Sequence, residues 1–365
     1  MATATASPAQ QLAAFDAAAT ERSISMASVA YGNGAATFNL PHAGVPTYLI
    51  IGFNGTLKRT DGTTVGGVTA SPFWPFNLMA PSSLIDYSGI TRIWADGYDL
   101  YTLLLMKAFG SYQKTLYSAE SYANTIYTAS IPTGAAGASK TSNLIFSMVL
   151  PVSLSKWSAL GSYDATVPNG EAQLTINEAP VTGSYVNSPL TLTGKTTVSI
   201  TGNWTVGYYF LDAPSSVAIP TAALSQVHEI YHQASNTDLA AGSNKDVVLQ
   251  TGRTYQRLMQ FVVENNAASL SHVANVQFLV DSATPTLNET LAQYYQRTRM
   301  MFGRDFAPGA VLRDFSRKPW TPNSYGSLTA RLVLNNSWAS GAYSNVTTTR
   351  ETLYVPSGNL LKIGG

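Results

Sequence analysis

Short runs of strand-forming residues, each closed by a turn signal, are the feature that most limits what this chain can fold into. Beyond about residue 23, Val, Ile, Thr, Tyr and Phe cluster in runs of roughly five to ten residues. Dipeptides such as Asp61–Gly62, Asp96–Gly97 and Asn169–Gly170 separate the runs and suit tight turns. This spacing is typical of antiparallel β-sandwiches and not of parallel α/β folds. We predict strands at Thr47–Phe53, Leu100–Lys107, Asn143–Leu150, Glu171–Ile176, Thr196–Thr201, Thr205–Leu211, Asp246–Gln250, Arg257–Glu264, Val276–Val280, Ser327–Leu334 and Thr352–Val355.

The predicted strands fall into two halves of the chain. The chain has 365 residues, which is too long for a single sandwich of about 100 residues and is enough for two. A break in the pattern comes at Asp212–Ser216, where Pro and Ser follow a long apolar run. We therefore predict an all-β chain with a first sandwich at 23–213, a second at 214–358, and a C-terminal tail at 359–365.

Residues 1–22 precede the first strand and predict a short helix or arm. Ser7 is a suitable N-cap, Pro8 is tolerated in the first turn, and Leu12 and Phe15 lie on one face. Because this helix is separate in sequence from the segments predicted as strands, we expect the sandwiches to fold without it. Two further segments, Pro220–Gln233 and Leu287–Phe302, also have helical character.

Composition excludes several classes of protein. Hydrophobic residues make up 45% of the chain and charged residues only 11%, against a usual charged fraction of ~25%. The net charge of +1 gives no basic excess for a nucleic acid. The absence of cysteine rules out disulfides and thiolate metal sites. A neutral, aromatic-rich surface is typical of protein–protein interfaces.

One motif suggests a different function. His228, Glu229 and His232 form a His-Glu-x-x-His match, which on a helix would place both imidazoles on one face to bind zinc. Asp238 stands where a third ligand would follow, but Ser235 occupies the position of the glycine that shapes the turn. The flanking segments are predicted to be strands, and the methionine-containing turn that follows this motif in metzincin zinc peptidases is absent from the sequence. The alternative is a short amphipathic connector, and we expect no metal, no cofactor and no enzymatic activity.

The densest charge in the chain lies near its C-terminus. In so neutral a protein the cluster suggests either an ion-pair network that holds the second sandwich to its neighbours, or a solvated loop. Its members are Arg297, Arg299, Arg304, Asp305, Arg313, Asp314, Arg317 and Lys318.

This segment resembles the major capsid proteins of tectivirus-type bacteriophages. Those proteins carry an Arg-rich stretch, then Asp-Phe-Pro-x-Gly, a few apolar residues and Asp-x-Arg-x-Lys-Pro. Here Ala307 is inserted before the proline, a departure that changes the turn. The matching residues are Arg299, Asp305–Phe306, Pro308–Gly309, Val311–Leu312, Asp314 and Arg317–Lys318–Pro319. Ser7–Gln11, Phe73–Leu78, Ile90–Leu105 and Ile219–Tyr231 are similar to the family's N-terminal helix, its first barrel and the crossing between its barrels.

The resemblance implies a structural protein of two eight-stranded antiparallel jelly rolls standing side by side. Three copies would form a pseudo-hexagonal capsomer of an icosahedral virus with an internal membrane. The implied partners are further copies of the chain, penton and minor capsid proteins, and the viral membrane, which Leu12 and Phe15 of the N-terminal helix could touch. No specific nucleic acid is implied. The implied location is the virion shell, after synthesis in the host cytoplasm.

Two alternatives remain at this stage. One is a zinc metallopeptidase that uses the His-Glu-x-x-His match. The other is a trimeric virion spike or accessory protein, which would be expected to show fibrous repeats and no base helix.

Overall fold

The protein is described by a computed structural model that covers most of the chain. The described residues are 6–32, 34–71, 73–110, 128–167, 170–182, 189–233, 240–264, 267–281, 284–302, 309–316, 321, 327–338 and 345–356. Strands dominate these residues, and helices are few. The prediction of an all-β fold is therefore confirmed.

The strands follow the predicted rhythm of short runs and turns. They are β1 (Thr20–Ser25), β2 (Val29–Ala30), β3 (Ala35–Asn39), β4 (Val45–Thr60), β5 (Val68–Ala70), β6 (Ser82–Ile85), β7 (Thr91–Ala95), β8 (Ser139–Pro151), β9 (Gln173–Asn177), β10 (Leu190–Leu192), β11 (Thr197–Asp212), β12 (Val227–Gln233), β13 (Asn244–Val248), β14 (Thr254–Glu264), β15 (Ala267–Ala268), β16 (Val273–Val280), β17 (Thr284–Thr290), β18 (Ala310–Asp314), β19 (Leu328–Leu334) and β20 (Asn345–Tyr354).

The helices are short and lie at junctions between strands. They are α1 (Pro8–Ala18), α2 (Gly97–Gly110), α3 (Thr221–Leu224), α4 (Leu291–Phe302) and a 3₁₀ turn at Phe76–Leu78. The predicted start of α1 is confirmed: Ser7 caps the helix, and its side chain and that of Gln10 accept each other's backbone N–H. No described helix is long and apolar enough to cross a membrane.

The sheets form two sandwiches that have one layer in common. One layer of the first half has the order β1-β11-β4-β8, with β2 beside β11, and β5 pairs with β10. A four-stranded layer of the second half has the order β13-β19-β16-β17. Both of these layers face a nine-stranded sheet whose order is β15-β14-β20-β12-β7-β6-β9-β3, with β18 beside β14.

The nine-stranded sheet joins the two halves of the chain. Its strands β3, β6, β7 and β9 come from the first half, and β12, β14, β15, β18 and β20 come from the second. The halves meet where β12 pairs in parallel with β7, with Ile230 opposite Ile93 and Tyr231 opposite Trp94. On its other side β12 pairs along its whole length with β20, antiparallel. The crossing strand β12 is thus hydrogen-bonded on both edges.

Apolar packing also crosses this junction. The main core of the first half, with Phe53, Phe146 and Trp204 at its centre, includes Met259, Phe261 and Leu312 of the second half. Two smaller cores fill the second half, one around Tyr294 and Val262 and the other around Tyr255 and Leu258.

Two segments adopt a different structure from the predicted one. Leu100–Lys107 was predicted as a strand and lies in α2, because Leu and Met are good helix formers and Asp96 caps the helix by accepting from the Asp99 N–H. A continuous apolar run does not by itself distinguish a strand from a buried helix. Conversely, the helix predicted at Pro220–Gln233 is wrong beyond Leu224, since Val227–Gln233 pairs with β20 and β7.

Asp61, directly after the end of β4, carries a buried carboxylate. Asp61 accepts from Arg59 Nε at 3.0 Å, from Thr196 Oγ1 at 2.5 Å and from the Ala135 N–H at 3.1 Å. Arg59 also donates to the carbonyls of Pro132 and Gly66. The hydrogen bonds from Arg59 and Thr196 lower the pKa of Asp61 to about 2.

This pKa predicts a specific loss of stability in acid. A carboxyl whose pKa is lower in the folded state stabilises the fold above its unfolded pKa of ~4 and loses that contribution as the pH falls towards about 2. We expect Asp61→Asn to lower the urea midpoint at pH 6, and the gap to the parent to narrow below pH 4. A gap that is the same at pH 6 and pH 2.5 would contradict this.

Candidate functional site: a buried charged seam between the two halves

Charged and polar side chains lie buried where β7, β12, β14 and β20 meet, and we call this region the seam. Strand β12 carries His228, Glu229 and His232 through it. Side chains alternate between the faces of a strand, so the two histidines point to one face and Glu229 to the other. The three residues have less than a tenth of their surface exposed. A buried charge must be paired to be tolerated, and each of the three has its own partners.

His228 belongs to a chain of four ionisable groups. Its Nε2 lies 2.9 Å from Glu351 Oε1, and both side chains are fully buried. The other oxygen of Glu351 contacts Nη1 of Arg257, whose Nε lies 3.6 Å from Asp314 Oδ1. Burial lowers the pKa of Arg257, but Glu351 and Asp314 outweigh it and leave that pKa raised. These contacts link strands β12, β20, β14 and β18 through buried side chains.

His232 lies in a second group, at the first-half side of the seam. Its Nδ1 is 2.7 Å from Asp99 Oδ2, 3.3 Å from Thr349 Oγ1 and 3.9 Å from Asp96 Oδ2. Thr349 donates to the other oxygen of Asp99 at 2.6 Å. Burial lowers the pKa of His232, but the charges of Asp99 and Asp96 raise it overall, to about 9. This group ties the start of α2 to β12 and β20.

Glu229 forms a third group on the opposite face of β12. Arg253 contacts its Oε2, Thr352 Oγ1 donates to it at 3.2 Å, and Arg350 Nε lies 3.8 Å away. The guanidinium of Arg253 also stacks 4.1 Å from the ring centroid of Tyr354. Both arginines are largely covered, so this ion pair is shielded from solvent.

The His-Glu-x-x-His match does not form the geometry that its sequence suggests. On a strand, residues four apart are separated by about 13 Å, whereas two ligands of one zinc lie about 3–4 Å apart. His228 and His232 contact different carboxylates instead. The third residue of the candidate set, Asp238, lies outside the described residues.

The C-terminal charged cluster is divided among several places. Arg297 of α4 pairs through two nitrogens with Glu289 of β17, at 2.7 and 3.1 Å. Arg299, also on α4, is exposed, and Asp314 belongs to the seam through Arg257. Arg304, Asp305, Arg317 and Lys318 lie outside the described residues. The pair of Arg297 with Glu289 and the contact of Asp314 with Arg257 share no residue.

Arg313 is the unusual member of that cluster. It is 4% exposed, and within the described part of the chain its Nε and Nη2 have no hydrogen-bond partner. Its guanidinium lies 4.5 Å from the ring centroid of Phe278. Burial, followed by the charge of Arg297, lowers the pKa of Arg313 to about 9. Glu289 opposes this shift through its charge, but no carboxylate among the described residues lies within ion-pair distance of Arg313.

This isolation predicts that losing the charge is tolerated. Burying a charge that has no ion-pair partner costs free energy, so an apolar side chain of similar volume should be tolerated in its place. We expect Arg313→Met to unfold at a urea concentration equal to or above that of the parent. Arg313→Ala, which also leaves a cavity, should be less stable than Arg313→Met. A lower midpoint for Arg313→Met than for the parent would show that the guanidinium has a stabilising partner.

The N-terminal helix packs on its own sandwich. Phe15 is 2% exposed and lies against Val45, Ala159 and Leu211, with Leu12 beside it. Asp16 accepts from the Ala159 N–H at 2.9 Å. The expectation that Phe15 touches lipid is therefore wrong for the described chain, because its side chain is already buried against β4 and β11.

The outer face of the first half carries no charge over the middle of its layer. Successive outward positions of β4, β8 and β11 lie side by side in the strand pairings, and Tyr48 stacks on Tyr209 with ring centroids 4.5 Å apart. Ile145 is exposed there. The outward residues are Tyr48, Ile50, Gly52, Asn54, Ile145, Ser147, Val149, Asn203, Thr205, Gly207 and Tyr209.

Comparison with known proteins identifies the fold. No family model matches the chain, and no curated protein does either. Among solved structures, the major capsid protein of STIV is similar over 94% of this chain and 100% of its own, with a TM-score of 0.67 and 13% identity. The atomic structure of Sulfolobus Turreted Icosahedral Virus matches with a TM-score of 0.65 and 14% identity, over 92% of this chain and 91% of that one. The capsid model of the virus PBCV-1 matches over 95% and 98%, with a TM-score of 0.53 and 11% identity.

These likenesses extend over nearly the whole of each chain. The fold is the double jelly roll of viral major capsid proteins. The crossing strand β12 and the seam around it lie where the two jelly rolls join.

Proposed function

We propose that the chain is a structural, non-enzymatic major coat protein of an icosahedral virus. The observation that carries the proposal is the full-length likeness to the capsid protein of STIV. A fold alone does not fix a function, but the residues described here also suit a building block better than a catalyst. The buried ionisable groups of the seam contact one another and neighbouring threonine side chains.

The connections between its two jelly rolls would make such a subunit rigid. The two jelly rolls share one hydrogen-bonded sheet, a common apolar core and the buried contact between Asp99 and His232. Interfaces inside a chain that are large and apolar resist relative motion of the parts they join. A shell subunit with that property can transmit load between its neighbours without changing shape.

The uncharged outer face supports association with further copies. Charged residues are depleted and aromatic residues enriched at the centres of protein interfaces, and the middle of the β4–β8–β11 layer has that composition. We propose that three copies associate into a pseudo-hexagonal capsomer, and that capsomers then contact one another, penton proteins and minor capsid proteins. Closed symmetric trimers also protect sheet edges from uncontrolled pairing.

Further parts of the proposal concern the organisation of the chain and the virus. We assign residues 23–213 to the first jelly roll and 214–358 to the second. We place the chain in the virion shell after synthesis in the host cytoplasm, around an internal membrane. Because Phe15 is buried within the chain, any contact of α1 with lipid would involve its exposed Gln10, Ala13 and Ala17.

Sedimentation and electron microscopy of the purified chain test the proposal. We expect a trimer at micromolar concentration, seen in projection as a six-lobed tile, and ordered arrays or shells at higher concentration. A monomer that persists across the concentration range, with no tile in the images, would contradict the coat-protein function while leaving the fold unchanged.

A further inference from the structure

We propose that Asp96, Asp99 and His232 form a binding site for one divalent transition-metal cation, zinc being the most suitable. The three residues come from different parts of the fold. Asp96 caps α2, Asp99 lies in its first turn, and His232 is on β12. Their ligand atoms all lie within 4.8 Å of one another. The site uses only one histidine of the His-Glu-x-x-His match, together with two carboxylates that the motif does not contain.

The geometry is close to that of a coordinated cation. Ligands at zinc distances of about 2.0–2.2 Å stand roughly 3–4 Å apart from one another. Here His232 Nδ1 is 2.7 Å from Asp99 Oδ2 and 3.9 Å from Asp96 Oδ2. The second distance already lies in that range, and the first, a direct hydrogen bond, would have to lengthen by about 0.5 Å to admit an ion. A mixed nitrogen and oxygen set favours zinc and its neighbours over magnesium or calcium, which prefer oxygen alone.

The surroundings hold the ligands as metal sites require. Ligating carboxylates are usually fixed by hydrogen bonds to their remaining oxygens. Thr349 donates to Asp99 Oδ1, and the Asp99 N–H donates to Asp96 Oδ1 at 2.8 Å. Asp99 Oδ2 also accepts from the Asp96 N–H at 3.2 Å, and Asp96 Oδ2 lies 3.9 Å from His232 Nδ1. The side chain of Asp96 is 25% exposed, which provides a route from solvent to a site whose other ligands are buried.

The charges of the site also favour a cation. Two carboxylates face a single imidazole, and among the described residues no lysine or arginine lies within ion-pair distance of either. A bound divalent ion would contact both carboxylates and would link α2 of the first jelly roll to β12 of the second. The bound ion would then stabilise the contact between the two jelly rolls.

Zinc binding to the full-length chain tests this inference. The chain is stripped with a chelator, equilibrated with zinc chloride and separated from free metal before elemental analysis. We expect one zinc per chain, a higher thermal midpoint with zinc than without it, and no such rise with magnesium chloride. Bound cobalt should give a visible spectrum of nitrogen and oxygen coordination.

Two variants locate the ion. Asp96→Asn removes one ligand but keeps the oxygen that caps α2, so it should fold, lose the zinc and lose the rise in midpoint. His272→Gln is the matched control, because His272 contacts a carboxylate, Glu264, elsewhere on the surface; it should retain the zinc. Absence of zinc from the parent, or equal zinc in the parent and Asp96→Asn, would overturn the inference. Neither result depends on whether the chain forms trimers.

Discussion

Arg257→Met is expected to destabilise the protein by about 3–5 kcal/mol. Removing one partner of a buried ion pair leaves the other charge without compensation and has an effect of this size. Without Arg257, the fully buried carboxylate of Glu351 would lose its guanidinium partner while keeping its contact with His228, and Asp314 would lose its guanidinium neighbour. The unfolding free energy should be measured by urea denaturation at one fixed protein concentration, since association would add to it.

The matched control is Arg22→Met, on the surface of the same protein. Arg22 lies 3.0 Å from Asp212, with side chains 64% and 39% exposed. Exposed pairs contribute only ~0–1 kcal/mol, so this variant should unfold almost like the parent. If Arg257→Met costs no more than Arg22→Met, the seam does not contribute to stability through its charges.

Phe15→Ala is expected to have a similarly large effect, about 3–5 kcal/mol. This is the usual cost of deleting a buried aromatic ring, which combines lost burial with the cavity that remains. Phe15 is the centre of a separate apolar cluster with Val45, Ala159 and Leu211. Deleting residues 1–20 would expose all of these partners, so the truncated chain should melt well below the parent and precipitate on heating.

The control here is Met300→Ala on α4. Met300 is also a large apolar residue on a helix, but it is 87% exposed, and surface substitutions usually change stability by less than about 0.5 kcal/mol. A truncated chain that melts like the parent would support the initial expectation that the sandwiches fold independently of α1, and would contradict the packing of Phe15.

The two variants separate two sources of rigidity. Phe15 stabilises the first jelly roll through apolar burial, whereas Arg257 stabilises the second jelly roll through ion pairs that link β14 to β18 and β20.

The sequence by itself determined the layered β architecture. Runs of strand-forming residues at Thr47–Phe53, Asn143–Leu150 and Arg257–Glu264, separated along the chain by turn signals, predict strands. The N-cap at Ser7 specified the start of α1 through local hydrogen bonds alone. These features depend on residues that are near one another in the chain, so they can be predicted without knowledge of the fold.

Only the tertiary structure decided what the ionisable residues do. His232 and Asp99 are separated by 133 positions, His228 and Glu351 by 123, and Asp99 and Thr349 by 250. No local spacing encodes such pairs. The His-Glu-x-x-His match is an example. The spacing of its two histidines suits a zinc site on a helix, but the segment pairs with β7 and β20 as a strand, which separates the histidines. Strand pairing across the junction overrode local propensity, because burying Val227 and Ile230 between the jelly rolls stabilises more than a short exposed helix could.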